Sequence, residues 1–196
     1  MSNSKYTSHS FTSESSDLPV FLEDARAQLK LDDLRHDDEY LISLIKGQCS
    51  HIEWQYSCAL LEKTVLEYHS GFPSLSTLPI RLHVAPASAV SSIQYIDSAG
   101  DTQTWSSSEY SVKVLNAGVI SIIPKVSYCY PTDLAIRPDA VSITYTAGFG
   151  TTPSSIPAGV KLGILARIGR AYTQREDAPE YKTSMSDVLL HQLKRY

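Results

Sequence analysis

The sequence predicts an α+β protein: a helical bundle, made of a short N-terminal helix, a long central helix and C-terminal helices, carrying an antiparallel β-rich insertion. Three observations predict it. Apolar residues recur at three- and four-residue steps through 37–61, the pattern switches to an alternation of period two after Leu61, and helical spacing returns behind Pro157. The organisation that follows is a tail over 1–16, helices over 17–61, the β-rich insertion over 62–150, a bundle helix over 151–178 and a hinge with a last helix over 179–196.

Each element has its own signal. The first sixteen residues, MSNSKYTSHSFTSESS, hold seven serines and no apolar periodicity, which predicts a disordered tail. In VFLEDARAQLKL, residues Phe21, Leu22, Ala25 and Leu29 fall on one side of a short helix, with Glu23 and Asp24 in its first turn. The Asp-rich LDDLRHDD connects it to the long helix 37–61, where Leu41, Leu44, Ile45, Ile52 and Ala59 form a core face flanked by Tyr40 and Tyr56. Asp37, Asp38 and Glu39 meet the positive end of its dipole, and at 1.5 Å per residue it runs on the order of 37 Å.

Beyond Leu61 the runs Thr64–Tyr68, Leu78–Val84, Val90–Ile96, Tyr110–Leu115, Val119–Ile123 and Ala140–Tyr145 are rich in β-branched and aromatic residues and read as strands. Asp97–Asp101 and Asn116–Gly118 carry the turn residues of hairpins, so the pairing is antiparallel. Prolines fall at run ends. Pro157, behind Ser154 and Ser155, opens a helix bearing Val160, Ile164, Leu165, Ile168 and Tyr172, with Gly159, Gly163 and Gly169 as small residues suited to close packing against the long helix. After REDAPEYK, Ser186 reads as the cap of DVLLHQLKRY, whose Val188, Leu189, Leu193 and Tyr196 share one side. Ten residues of amphipathic helix need a surface to bind.

Composition excludes several function classes. The 196 residues carry a net charge of −4, with no basic excess for gripping a phosphate backbone. No apolar run is long enough for a bilayer and no signal-peptide core is present, so neither a membrane nor an export role is expected. Cys49, Cys58 and Cys129 are odd in number and lack C-x-x-C spacing, which fits a reducing, cytoplasmic setting and indicates neither a disulfide framework nor zinc. Charge is uneven: nine acidic residues face four basic ones through Tyr40, and seven basic face four acidic from Ile156 on. The two ends attract, within one copy or between copies.

No catalytic, cofactor-binding or metal-ligating residue is assigned. TYTAGFGTTPSSIP runs from a strand through a glycine pair toward a helix, yet Pro153 stands where a dinucleotide fingerprint wants its third glycine, and no Gly-Lys-Ser/Thr follows. His9, His36, His51, His69, His83 and His191 are scattered, without H-E-x-x-H, and no G-x-S-x-G elbow occurs. Tyr makes up 12 of the 18 aromatic residues, a composition that suits sheet surface, core or a protein interface.

Three stretches together resemble a known family. DLPVFLEDARAQLKLDDLRHDDEYLISLIKGQCSHIEWQYSCALL resembles the N-terminal helices of the head-tail connector (adaptor) proteins of tailed phages, the gp6-like and prophage gp8-like group. RPDAVSITYTAGFGTTPSSIPAGVKLGILARIGRAYTQRED resembles the strand, Ala-Gly-aromatic-Gly turn, Pro and helix that close that family's β insertion, and SDVLLHQLKRY its C-terminal segment. Two features depart from the pattern. The serine-rich start looks like an addition, and Tyr56-Ser57-Cys58 stands where relatives often carry a Thr-Gly pair, leaving the end of the long helix open.

The resemblance implies a structural, non-enzymatic protein: a homo-oligomeric ring, usually a dodecamer, below the portal protein in the virion neck, assembled in the host cytoplasm. It extends the DNA channel, through which DNA passes without specific binding, and gives a platform to a stopper or tail protein. It also implies that the C-terminal segment reaches the portal, with Val188, Leu189, Leu193 and Tyr196 as apolar anchors and Lys194 and Arg195 as charge partners. Unlike acidic and basic patches on each copy suit such a ring. The alternatives are another neck component, a stopper or tail-completion protein, and a small hydrolase acting during infection, which would need a nucleophile and base about 3 Å apart.

Overall fold

The computed structural model describes residues 6–13, 17–31, 37–115, 118–173 and 185–193. In chain order its elements are strand β1 (Tyr6–Ser13), helices α1 (Leu22–Leu29) and α2 (Asp38–Tyr56), strands β2 (Lys63–His69), β3 (Ile80–Arg81), β4 (Ala87–Ile96), β5 (Thr102–Thr104), β6 (Tyr110–Val114), β7 (Ile120–Pro124) and β8 (Val141–Ala147), and helices α3 (Ala158–Thr173) and α4 (Met185–Leu190). The class is α+β, and the strands pair antiparallel throughout. Two compact units result: Met1–Glu14 with Glu62–Gly148 carries the strands, and Ser15–Leu61 with Phe149–Tyr196 carries the helices.

In the strand unit a five-stranded sheet runs β1-β2-β8-β4-β5 and a three-stranded sheet β3-β7-β6. Alternation sets the buried face of the larger sheet. Val65, Glu67 and His69 of β2 and Val141, Ile143, Tyr145 and Ala147 of β8 are buried, and Ile93 of β4 lies opposite Ile143. Beside them Phe72, Trp105, Tyr110 and Tyr130 build an aromatic cluster, Phe72 stacked on Tyr130 at 5.4 Å and edge-on to Trp105 at 5.3 Å, with Trp105 tilted against Tyr110 at 4.8 Å. The Tyr130 hydroxyl donates to the Leu78 carbonyl at 2.7 Å, and burial pushes its pKa up to about 12.

Three differences from the sequence reading have physical causes. Residues 6–13, expected within a disordered tail, form β1 against β2, with register shifts between Tyr6 and Ser8 and between Phe11 and Ser13. Those bulges break the period of two, so the alternation is invisible in the serine-rich string. The run Leu78–Val84 yields only the two residues of β3, because after the Leu82 N–H has bonded the Ile120 carbonyl at 3.2 Å the following donors are taken by side chains: the His83 N–H by Glu67 Oε2 at 2.9 Å and the Val84 N–H by the Tyr145 hydroxyl at 3.1 Å. β5 is three polar residues following the Asp97 turn, too short to announce itself. In the β6–β7 hairpin Gly118 is required: its φ is +70°, and a Cβ there would lie 2.5 Å from that of Pro86.

The helical unit is organised on α2, where Leu41, Ile45, Cys49 and Ile52 are buried at helical steps. Each of its fully buried large apolar side chains contributes about 1.5–3 kcal/mol. The helix spans 19 residues, about 28 Å, and stops at Tyr56 rather than continuing to Leu61. Ser57 takes a left-handed conformation, φ 48°, and Cys58 N–H bonds back to the Glu53 carbonyl at 3.1 Å. This is the C-terminal cap usually closed by glycine. The apolar run Cys58–Leu61 is instead a buried non-helical segment, with the Leu60 N–H bound to Glu53 Oε1 at 2.9 Å.

Candidate functional site: the C-terminal helix and the exposed helical faces

The seat of α4 is built by α3. Val160, Ile164 and Ile168 present one buried stripe, and Gly163 lies within it. A Cβ on Gly163 would sit 2.8 Å from Leu190 Cγ and 3.3 Å from Leu189 Cβ, so the missing side chain is what lets α4 approach. The sequence reading gave these glycines to the long helix. The structure gives Gly163 to α4, while Gly169 faces Leu29 of α1 at 3.9 Å. Ser186, expected to cap α4, lies inside its first turn and is buried.

Charge fastens the same seat. Arg167 donates to Asp187 Oδ1 at 2.7 Å and to Gln55 Oε1 at 3.0 Å, joining α3 to α4 and to the end of α2. The arginine side chain is 11% exposed, so this pair is better shielded than an ordinary surface bridge. At the other end of α2, Asp37 accepts the Tyr172 hydroxyl and Asp38 accepts Arg26, Nε to Oδ1 at 2.9 Å. The first-turn acids of α2 are thus tertiary acceptors as well as dipole partners.

These contacts divide the C-terminal residues named from the sequence. Val188 is 64% exposed and Leu189 half-buried, whereas Leu193 is 4% exposed in the helical core beside Leu190. Lys194, Arg195 and Tyr196 lie outside the described residues. Met185 and Val188, three apart, form the outward face of α4. On α2 the sequence reading passed over Trp54, which is 79% exposed with the His51 ring 6.0 Å away. An exposed tryptophan is a frequent anchor of protein interfaces, and its position outside the buried stripe is readable from the helical period.

A second constellation was also missed. On β2, Glu67 is fully buried, and its carboxylate accepts the Tyr145 hydroxyl at 2.6 Å, the His83 N–H at 2.9 Å and a bond from His69 Nε2 at 2.9 Å. The buried carboxylate drives the Tyr145 pKa up, after burial itself, and that hydroxyl stays protonated. Tyr6 of β1 stacks on His83 at 4.3 Å and bonds His9 Nδ1 at 2.7 Å. Sequence reasoning saw three scattered histidines; it lacked the pairing of β1 with β2 that gathers them. Chemically the arrangement is a tie, because a carboxylate accepting three bonds inside the sheet holds β2, β8 and the chain after β3 together. Among the described residues no group of three or more His, Cys, Asp or Glu is placed to hold a metal, and no helix is long and apolar enough to cross a membrane.

No family model matches the chain, and no curated protein does. Solved structures do. A chain from the neck of an empty gene transfer agent (GTA) particle, computed with C6 symmetry, superposes with a TM-score of 0.77, one from the virion of the native GTA particle with 0.76, and one from its neck computed with C12 symmetry with 0.72. In each case the similarity covers 97% of this chain and 96% of the other at 17% identity. What is shared is the fold, along nearly the whole of both chains.

Proposed function

We propose that this chain is a structural subunit of the neck of a tailed phage or phage-like particle, and within the neck a head-tail connector that forms a ring below the portal, extends the DNA channel and carries the next neck or tail protein. The observation behind this reading is the end-to-end likeness to chains of the GTA neck and virion, which extends over both units. The neighbours' sixfold and twelvefold symmetries fit a ring, and the −4 net charge suits a channel through which DNA slides.

In this reading the C-terminal segment docks on the portal. Val188 is available as it stands, together with Met185 on the same face. Leu193 serves only if α4 leaves its seat at Gly163, so docking through the whole set of Val188, Leu189, Leu193, Lys194, Arg195 and Tyr196 requires that seat to open. Mixing the protein with purified portal and imaging the product tests the function. A ring stacked directly on the portal supports the connector. Addition only to portals that already carry a first ring indicates a stopper instead. Deletion of 187–196 would also strip the buried Leu190 and Leu193 from the helical core, so the exposed Val188→Asp is the test: it is expected to leave a folded protein that binds portal more weakly, and unchanged binding removes the docking assignment.

A further inference from the structure

The three-stranded sheet ends in an unfinished core. Directly opposite residues of an antiparallel pair share a face. Ile80, Ile122 and Val112 therefore form one row across β3, β7 and β6, and Ile120 and Val114 another. The three isoleucines are buried, but Val112, Val114 and the adjoining Leu115 are exposed. The apolar face thus runs past β7 onto an edge strand that nothing among the described residues covers. β6 pairs with β7 without a bulge and contains no proline, so the usual protections of a free edge are absent apart from Lys113. On the opposite face Lys113 and Arg81, both exposed, flank Ser121 in one row.

The same unit carries a surface of opposite character. The β4–β5 turn is fixed by Asp97, whose Oδ1 accepts the N–H of Ala99 at 3.1 Å and of Asp101 at 2.9 Å, and Asp133 Oδ1 accepts the Ser98 N–H at 3.3 Å. Ala135 N–H bonds the Ile96 carbonyl at 2.9 Å, which sets the fully exposed Ile136 beside these three carboxylates. Arg137 adds no net positive charge there, because Asp139 pairs with it at 2.6 and 2.7 Å.

We infer that these are the two halves of one contact between successive copies of this chain: Ile136 of one copy seats on Val112 and Val114 at the free β6 edge of the next, and the acidic turn beside it lies along that edge, where the long side chain of Lys113 reaches it from the other side of the same strand. The inference rests on the ring reading above and names the surfaces that close it. Unlike patches make a head-to-tail contact, which repeats around a ring. The like-with-like alternatives repel, since two β6 edges bring Lys113 against Lys113 and two turns bring three carboxylates against three.

Proteins with one exposed cysteine test this in a Cys129→Ser background, which removes the exposed native thiol and leaves the buried Cys49 and Cys58. Val114→Cys mixed with Ile136→Cys is expected to give a disulfide-linked dimer that neither protein forms alone, and a chain carrying both should give a ladder ending in a covalent ring. Lys113→Glu is expected to weaken assembly about tenfold or more, and adding Asp101→Lys to restore it. Both sites are exposed, and thermal melts check that each variant folds. Rings that form on the portal without the mixed crosslink, and with Lys113→Glu assembling as wild type, overturn this contact and leave the neck assignment standing. A wild-type chain that makes no ring, free or on portal, overturns both.

Discussion

Tyr145→Phe removes one oxygen and strands two buried partners. The hydroxyl donates to Glu67 Oε2 at 2.6 Å and accepts the Val84 N–H at 3.1 Å, and Glu67 and Val84 are both fully buried. The charge-assisted bond is worth about 1.5–3 kcal/mol, and an orphaned buried N–H costs about 1–3 kcal/mol. Glu67 keeps its bonds from His83 and His69, so the loss at the carboxylate is partial. A net destabilisation of about 2–4 kcal/mol follows, with little change of shape because the ring remains. Urea titration followed by tryptophan fluorescence reads it directly, since Trp105 sits in the same unit. The midpoint should fall with the slope unchanged. A variant within about 0.5 kcal/mol of wild type would mean that the carboxylate knot contributes nothing net, and the reasoning would be wrong.

Ser57→Gly should stabilise the protein by about 0.5–1 kcal/mol, because glycine meets no Cβ penalty at φ 48°; a loss of stability in thermal melts contradicts the cap. Burial lowers the His9 pKa, the His83 ring lowers it further and Glu67 partly opposes them. The unfolded chain therefore binds the proton more readily, and stability should decline as pH falls through the ordinary value of about 6.5, levelling off below the folded pKa. Stability curves at pH 8 and pH 5 for wild type and His9→Gln check this, the variant showing the smaller decline. Leu190→Ala should cost about 2–4 kcal/mol, seen as faster hydrogen exchange across α4 while the amides around Ile45 stay protected. Equal acceleration in α2 would show that α4 does not open on its own.

Much of this architecture is written in periodicity, and the misses share one cause. The core stripe of α2, the strands at 63–69, 87–96 and 141–147 and the stripe of α3 depend on nearest neighbours in sequence, so alternation or helical spacing exposes them. Tertiary hydrogen bonds and bulges leave no such trace. The apolar Cys58–Leu61 continues the helical look of α2, and only the left-handed Ser57 turns it aside. β1 hides behind its bulges, and with it the gathering of His9, His69 and His83 around Glu67. In the candidate site, helical spacing puts Val188, Leu189 and Leu193 on one side, and the fold separates them into an exposed, a half-buried and a buried residue. The burial of Leu193 depends on a notch at Gly163, thirty positions away, which spacing within one helix cannot reveal.

Weighing the portal complex tests the neck assignment most directly. Twelve copies of a 21.6 kDa chain add about 260 kDa to a twelvefold portal, and class averages of the same sample should show one new ring, coaxial with the portal and with a central opening. A portal whose mass and outline are unchanged by saturating protein, whether or not it already carries another neck ring, would contradict the account.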